Sequence, residues 1–295
     1  MRIPNRTIFV LTEQGLKNVS LKLPKFVKKS FSYFFLAGLA FSMLLPFLWM
    51  VMTSFMNELE VYSPTPKFWP QHFLWSNYKE ALTMLPFGRF FLNTAFISVA
   101  VVAGQLLVTS MAAFSFSRLQ YRGRDKIFSL YLATMMIPGI VTLIPAYLLV
   151  DSFHWLNTYW ALIIPFLNSV WGIFLLRQFF LTLPRELEDA ARIDGAGAWK
   201  IYWYIILPLS KPALATLAIF SFMGMWKEFL WPLVVTNQMN LRPVEVGIAL
   251  FHSIYATNWP YQMAAAVVVM IPIVVIFFFA QRYFVKGIVL SGLKQ

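Results

Sequence analysis

The feature that most constrains this chain is a series of long apolar stretches. A helix that crosses a bilayer needs about 20 mostly apolar residues. Six stretches meet that length: residues 30–53, 90–117, 127–150, 159–176, 210–236 and 262–284. Strands of a membrane barrel would instead alternate apolar and polar residues over about ten positions. The run 264–279 does not alternate, so the spans are read as helices. Composition agrees. Charged residues make up 12% and hydrophobic types 59%, whereas a soluble domain carries about 25% charge. The expected class is an all-α polytopic membrane protein with six transmembrane helices.

Basic residues set the orientation. Seven precede the first run, four separate the second from the third, five lie between the fourth run and the first residues of the fifth, and three lie at the C-terminal end from Arg282 on. The other side keeps only Lys67, Lys79, Arg89, Lys227 and Arg242. Cytoplasmic loops concentrate Lys and Arg, so both termini are expected in the cytoplasm. The net charge of +12 is then a topology signal rather than a nucleic-acid footprint, which would need a basic patch on a water-facing surface. A basic segment ahead of an apolar run also suggests a signal peptide. The run from Ser30 exceeds the usual apolar core of such peptides and lacks a small-residue cleavage site, so it is expected to stay as an anchor.

Several chemistries find no residues to carry them. There is no cysteine, and His72, His154 and His252 lie far apart, so no catalytic, cofactor or metal site is expected. No phosphate loop of the G-x-x-x-x-G-K-[ST] type exists, so energy would have to come from a partner. Glu186, Glu188, Asp189 and Asp194 cluster, but on a short stretch better explained by a solvated face than by acid–base catalysis. Pro46, Pro138, Pro145, Pro165, Pro232 and Pro272 fall inside the runs, where each removes a backbone donor and serves either bent packing or a hinge. The polar residues Asn93, Gln105 and Asn168 fit a translocation path or hydrogen bonds between helices. The loop 56–88, with prolines and tryptophans, reads as an ordered outer cap.

The most informative stretch is the cytoplasmic loop 181–208. Pro184 suits a first helical position, and Glu186, Glu188 and Asp189 lie near the positive end of the helix dipole. Gly195 and Gly197 permit a sharp turn, after which Trp199, Tyr202, Trp203 and Ile206 repeat at helical spacing up to Pro208. The expectation is a helix–turn–helix outside the bilayer, either a partnerless interfacial segment or a docking element with a slim side at Ala190 and Ala191.

Asp189-Ala190-Ala191, then Gly195, Ile205 and Leu207-Pro208, stand at the spacings of a known signature. The stretch resembles the coupling loop of the membrane subunits of bacterial ABC importers, with Asp189 where Glu is usual. Tyr159-Trp-Ala-Leu-Ile-Ile-Pro, Ile173-Phe-Leu-Leu-Arg-Gln-Phe-Phe, Glu228-Phe-Leu-Trp-Pro-Leu and Gln281-Arg-Tyr-Phe-Val-Lys-Gly extend the similarity to the carbohydrate-uptake branch and its smaller maltose-type permeases. Lys227 stands where that branch often has Asn. The resemblance implies a permease of the bacterial cytoplasmic membrane, paired with a second permease and driven by two ATPase subunits that hold ATP and Mg. An extracytoplasmic binding protein would deliver a sugar or oligosaccharide. It also implies ATPase coupling by Glu188, Asp189, Ala190, Ala191, Asp194 and Gly195, and binding-protein contact by Tyr255, Ala256, Thr257, Asn258 and Trp259.

The organisation expected is a basic segment 1–29, a first helix and outer loop 30–88, a permease core 89–285 containing an outer loop 237–261, and a tail 286–295. An ion-gradient-driven transporter is the alternative. It is disfavoured because none of the twelve Asp or Glu residues was placed at the centre of a span.

Overall fold

The computed structural model describes residues 25–65, 67–252 and 258–292, and all regular structure among them is helical. The chain divides into two units, 1–49 and 50–295. The first unit contributes most of α1 (Lys25–Ser54), an apolar helix interrupted only by Pro46.

In the second unit the segment 56–88 is ordered by specific bonds. Asn57 accepts from Glu60 N at the start of α2 (Glu58–Val61), and Glu60 returns the bond to Asn57 N, a capping box. Asn77, at the start of α3 (Ser76–Met84), donates to the carbonyls of Ser54 and Met56. Phe55 sits edge-on against Phe73 and Trp75.

A 32-residue helix, α4 (Phe87–Arg118), runs through the packed unit. Thr94, Ser98, Gln105 and Thr109 lie along one buried face at helical spacing. Small and polar residues on such a face let neighbouring helices approach closely and bond across the gap. Three apolar clusters form along α4, around Phe87 and Phe90, around Ile97 and Val101, and around Ala113 and Phe114.

Three of the expected single spans are broken. Residues 127–150 form α5 (Arg124–Ala133) with a short 3-10 turn, then α6 (Gly139–Ser152), bent by 100° at Ile137 and Pro138. Ile137 is extended, as the residue before a proline prefers, and the helix cannot pass through it. The fourth run divides into α7 (Tyr159–Ile163), a turn containing Pro165, and α8 (Val170–Thr182), with a 41° bend. Ser169 caps α8 by accepting from Gly172 N.

After α9 (Glu186–Ile193) and α10 (Ala198–Ile201) the chain widens to a π-type turn over Tyr202–Ile206, then forms α11 (Leu207–Leu209) and α12 (Lys211–Trp226). The fifth run therefore stops at Lys227 and resumes as α13 (Leu230–Val235), and α12 lies at 77° to the preceding segment 198–209. Next come α14 (Val244–Ala249) and α15 (Trp259–Gly292). Among the described residues, three helices are long and apolar enough to cross a membrane, Ser32–Ser54, Phe87–Arg118 and Trp259–Phe279, and up to six if each bent pair is one span.

Candidate functional site

The loop 181–208 builds the expected short helix and turn. Its helix, α9, starts at Glu186, with three acids in its first turn and Arg192 in its last, matching the dipole at both ends. Its C-terminus is a Schellman motif. Ala196 N donates to Ala191 O at 2.8 Å and Gly195 N to Arg192 O at 3.0 Å. Gly195 takes φ +80°, the left-handed conformation such a stop requires and a Cβ disfavours. The sequence reading of Gly195 as the point where the chain turns sharply holds in this structure.

The faces of α9 differ from the sequence reading at one acid. Asp189, Ala190, Asp194 and Gly195 are exposed, Ala191 is half-buried against the cluster around Phe114, and Ile193 projects with 87% exposure. Glu188 was expected with the docking residues but is turned inward, only 4% exposed. Its Oε1 lies 2.9 Å from Nε of Arg118, the last residue of α4. The contact is an electrostatic one, since neither atom makes a hydrogen bond. Nη2 of Arg118 donates to the carbonyls of Phe180 and Leu183, the latter at 2.8 Å, at the end of α8. Phe180 O also accepts from Leu183 N at the cap, Leu183 O lies past the helix end, and a cation there suits the dipole.

Arg177 of α8 does the reverse for α4. Its Nε donates to Phe116 O at 3.1 Å, and its Nη2 reaches Asp125 at 3.2 Å. Its guanidinium also lies 4.2 Å from the centre of the Phe128 ring. Arg118 and Arg177 counted only toward topology in the sequence, which gives basic residues at helix ends no sign of burial.

The second half of the loop is half as expected. Tyr202 and Ile206 are buried, with Tyr202 Oη 2.7 Å from Ser110 Oγ of α4, whereas Trp199 and Trp203 are 62% and 49% exposed. The π-type turn adds a residue per turn and rotates the stripe apart. Trp199, with Met111, Phe114, Leu119 and Tyr202, lines an open apolar cavity.

The expected path residues separate. Asn93 is buried and uses its whole amide. It donates to Asn240 O at 2.8 Å and Arg242 O at 3.1 Å, and accepts from Tyr159 Oη at 2.8 Å. Gln105 donates to Phe166 O at 2.8 Å and accepts from Ser221 Oγ. Both act as braces between elements rather than as free groups on a path. Asn168 is exposed at the break before α8 and accepts from Tyr131 Oη.

On the other side of the spans, Tyr255, Ala256 and Thr257 lie outside the described residues. Asn258 accepts from Tyr261 N at 3.1 Å and so caps α15, while Trp259 is 38% exposed. The break after α12 carries Lys227 and Glu228. Trp226 Nε1 donates to Val269 O at 3.1 Å and so ties the end of α12 to α15. Glu228 Oε1 accepts from Trp231 N and starts α13. In the outer loop, burial pushes the Glu245 carboxyl above the usual range, opposed by the Lys227 ammonium.

Comparison with known proteins places this geometry. Residues 105–290 match the family described as the inner membrane component of binding-protein-dependent transport systems. The arabinooligosaccharides transport system permease protein AraQ of Halalkalibacterium halodurans is 35% identical over 208 residues, covering 70% of this chain and 75% of the relative. Protein LplC of Bacillus subtilis is 32% identical over 274 residues, covering 88% and 92%. A solved bacterial ABC transporter involved in importing the acidic polysaccharide alginate shares the fold over 88% of this chain and 96% of its own, at 23% identity and a TM-score of 0.76.

Proposed function

The chain belongs to the family of binding-protein-dependent transport inner membrane components, and from that premise we propose that it carries a sugar or oligosaccharide as one of two permeases of an ABC importer. It is a membrane permease of the ABC-importer kind. The relative named for arabinooligosaccharides supports the cargo class. In this reading the chain does no chemistry itself. Two cytoplasmic ATPase subunits bind ATP and Mg, an extracytoplasmic protein delivers the sugar, and both termini face the cytoplasm. Half-buried Asn258 and exposed Trp259, with Tyr255, Ala256 and Thr257, meet that protein, because aromatic faces and amides suit sugar-like contacts.

The observation that carries the coupling role is α9 itself. It is a short rod stopped by a Schellman turn, presenting Asp189, Ala190 and Ile193 outward from the loop. Such a rod fits a cleft in an ATPase subunit. Ala190 is a better probe than Ala191, which is half-buried against the core. Replacing Ala190 with Trp adds a large side chain to the docking face without touching the packed one. ATPase subunits should then fail to co-purify with an inserted permease. Unchanged co-purification and sugar-stimulated hydrolysis in Ala190→Trp would reject the docking role. For orientation, a cysteine at Lys29 on this cysteine-free chain should resist a membrane-impermeant reagent added to intact cells, and labelling there would reverse the topology.

A second reading, an ion-driven transporter, draws on Lys227 and Glu228 at the break between α12 and α13, since such carriers place ionisable groups at broken helices. The bond from Trp231 N to Glu228 gives that acid a structural use instead.

A further inference from the structure

We propose that Arg118 and Glu188 form the joint by which α9 moves as one body with the cytoplasmic end of α4, a positioning role that takes Glu188 out of the ATPase contact. The proposal rests on the reading that α9 docks on the ATPase.

A docking helix transmits motion only if it is held to the spanning helices, and apolar packing holds α9 weakly. Ala191 and Ala196 are the side chains that α9 and its turn set against the core, and both are small. The larger apolar residues of α9, Leu187 and Ile193, are exposed. What reaches inward is the Glu188 carboxylate, and what meets it is a guanidinium anchored on three elements. Arg118 ends α4, bonds the carbonyls of Phe180 and Leu183, and faces Glu188 at 2.9 Å. The side chains of the pair are 2% and 6% exposed. Separating them would leave a buried charge uncompensated, so a pull on α9 is resisted and passed to α4 and α8.

The base to which α9 is tied is itself firm, because Arg177 links α8 back to Phe116 and Asp125. The charge contact is close without an aligned hydrogen bond.

The test replaces Glu188 with Gln, which keeps the shape and removes the charge. The reconstituted complex contains both permeases, the ATPase and the binding protein. We expect the ATPase to co-purify normally and hydrolysis to persist, while stimulation by sugar-loaded binding protein disappears and uptake falls at least tenfold. Spin labels on cysteines at the exposed positions Met111 of α4 and Arg192 of α9 supply a readout that simple destabilisation would not move. Their distance distribution should be narrow with Glu188, with and without nucleotide, and broad in Glu188→Gln. Wild-type coupling with a narrow distribution in Glu188→Gln would overturn the joint. Loss of ATPase association in that variant would overturn it too, by making Glu188 a docking contact.

Should Glu188→Gln fail to insert, the shorter Glu188→Asp decides by the same two readouts. A broadened distribution with reduced coupling supports the joint, and an unchanged distribution with full coupling overturns it. Failure of the underlying docking reading shows elsewhere, as normal ATPase association in Ala190→Trp with the Arg118 and Glu188 pair intact.

Discussion

Replacements at Gly195 separate backbone strain from crowding. Gly195 sits at φ +80°, and a Cβ built on it meets no atom within 4 Å, so in the isolated chain the cost of a side chain is conformational rather than steric. Holding Ala in the left-handed region costs about 1 to 2 kcal/mol. Asn visits that region more readily than other non-glycine residues, and a β-branched residue there is an outlier. A loss of about 1 to 2 kcal/mol lowers the ratio of bent to unbent loops roughly 5- to 30-fold, and the share of bent loops by at most that factor. Each lost bend gives up the two bonds that stop α9, from Ala196 to Ala191 and from Gly195 to Arg192. If only the bent form docks, the apparent affinity for the ATPase falls in proportion to that share.

The expected order of coupling, measured as sugar-stimulated ATP hydrolysis in the purified complex, is Gly195, then Asn, then Ala, then Val. Insertion should be normal in all four. An order that follows side-chain size, with Ala retaining more activity than Asn, would show that room in the partner's cleft matters and that the backbone argument is wrong.

Three further outcomes follow from single contacts. Asn93→Ala removes the bonds to Asn240, Arg242 and Tyr159 and should destabilise the permease by about 1 to 3 kcal/mol, read as a lower Tm with ATPase association intact. A new Cβ in Gly172→Ala would lie 2.8 Å from Leu217 and 2.9 Å from Thr109, so overpacking between α4, α8 and α12 should cost about 1 to 3 kcal/mol by the same melt. Glu245 has a raised pKa, so its folded form favours the proton, and its contribution to stability is present at low pH and lost as pH rises from the ordinary glutamate range through that raised value. Glu245→Gln should flatten that part of the pH dependence of Tm, and an unchanged profile would contradict the burial argument.

Much of the candidate site was legible because its physics is local. Three acids at one end of eight residues and a glycine just past the other specify a capped rod with little help from the rest of the chain, and α9 forms with Gly195 at its stop. The apolar runs were equally plain, but their continuity was not. Pro138 was readable as a kink, yet whether a proline bends a helix or ends it depends on what surrounds Ile137 and Gly139 in space. The inward turn of Glu188 was hidden for a similar reason. Glu188 and Asp189 are adjacent acids on a loop, and only the position of Arg118, 70 residues earlier, tells them apart. For Asn93 and Gln105 a path and hydrogen bonds between helices both stayed open, because a sequence displays polarity without its partners, which here are main-chain carbonyls and Ser221.

The account's central claim is that this chain moves its cargo by coupling to ATP hydrolysis in a partner, and reconstituted transport tests it most directly. Proteoliposomes holding this chain, its companion permease and the ATPase would be supplied with sugar-loaded binding protein and no ion gradient. Uptake should appear only when ATP and Mg are on the ATPase side, and should vanish when the ATPase is omitted. Uptake that proceeds without ATPase and follows an imposed proton or sodium gradient would contradict the account and return the Lys227 and Glu228 break to the centre of the mechanism.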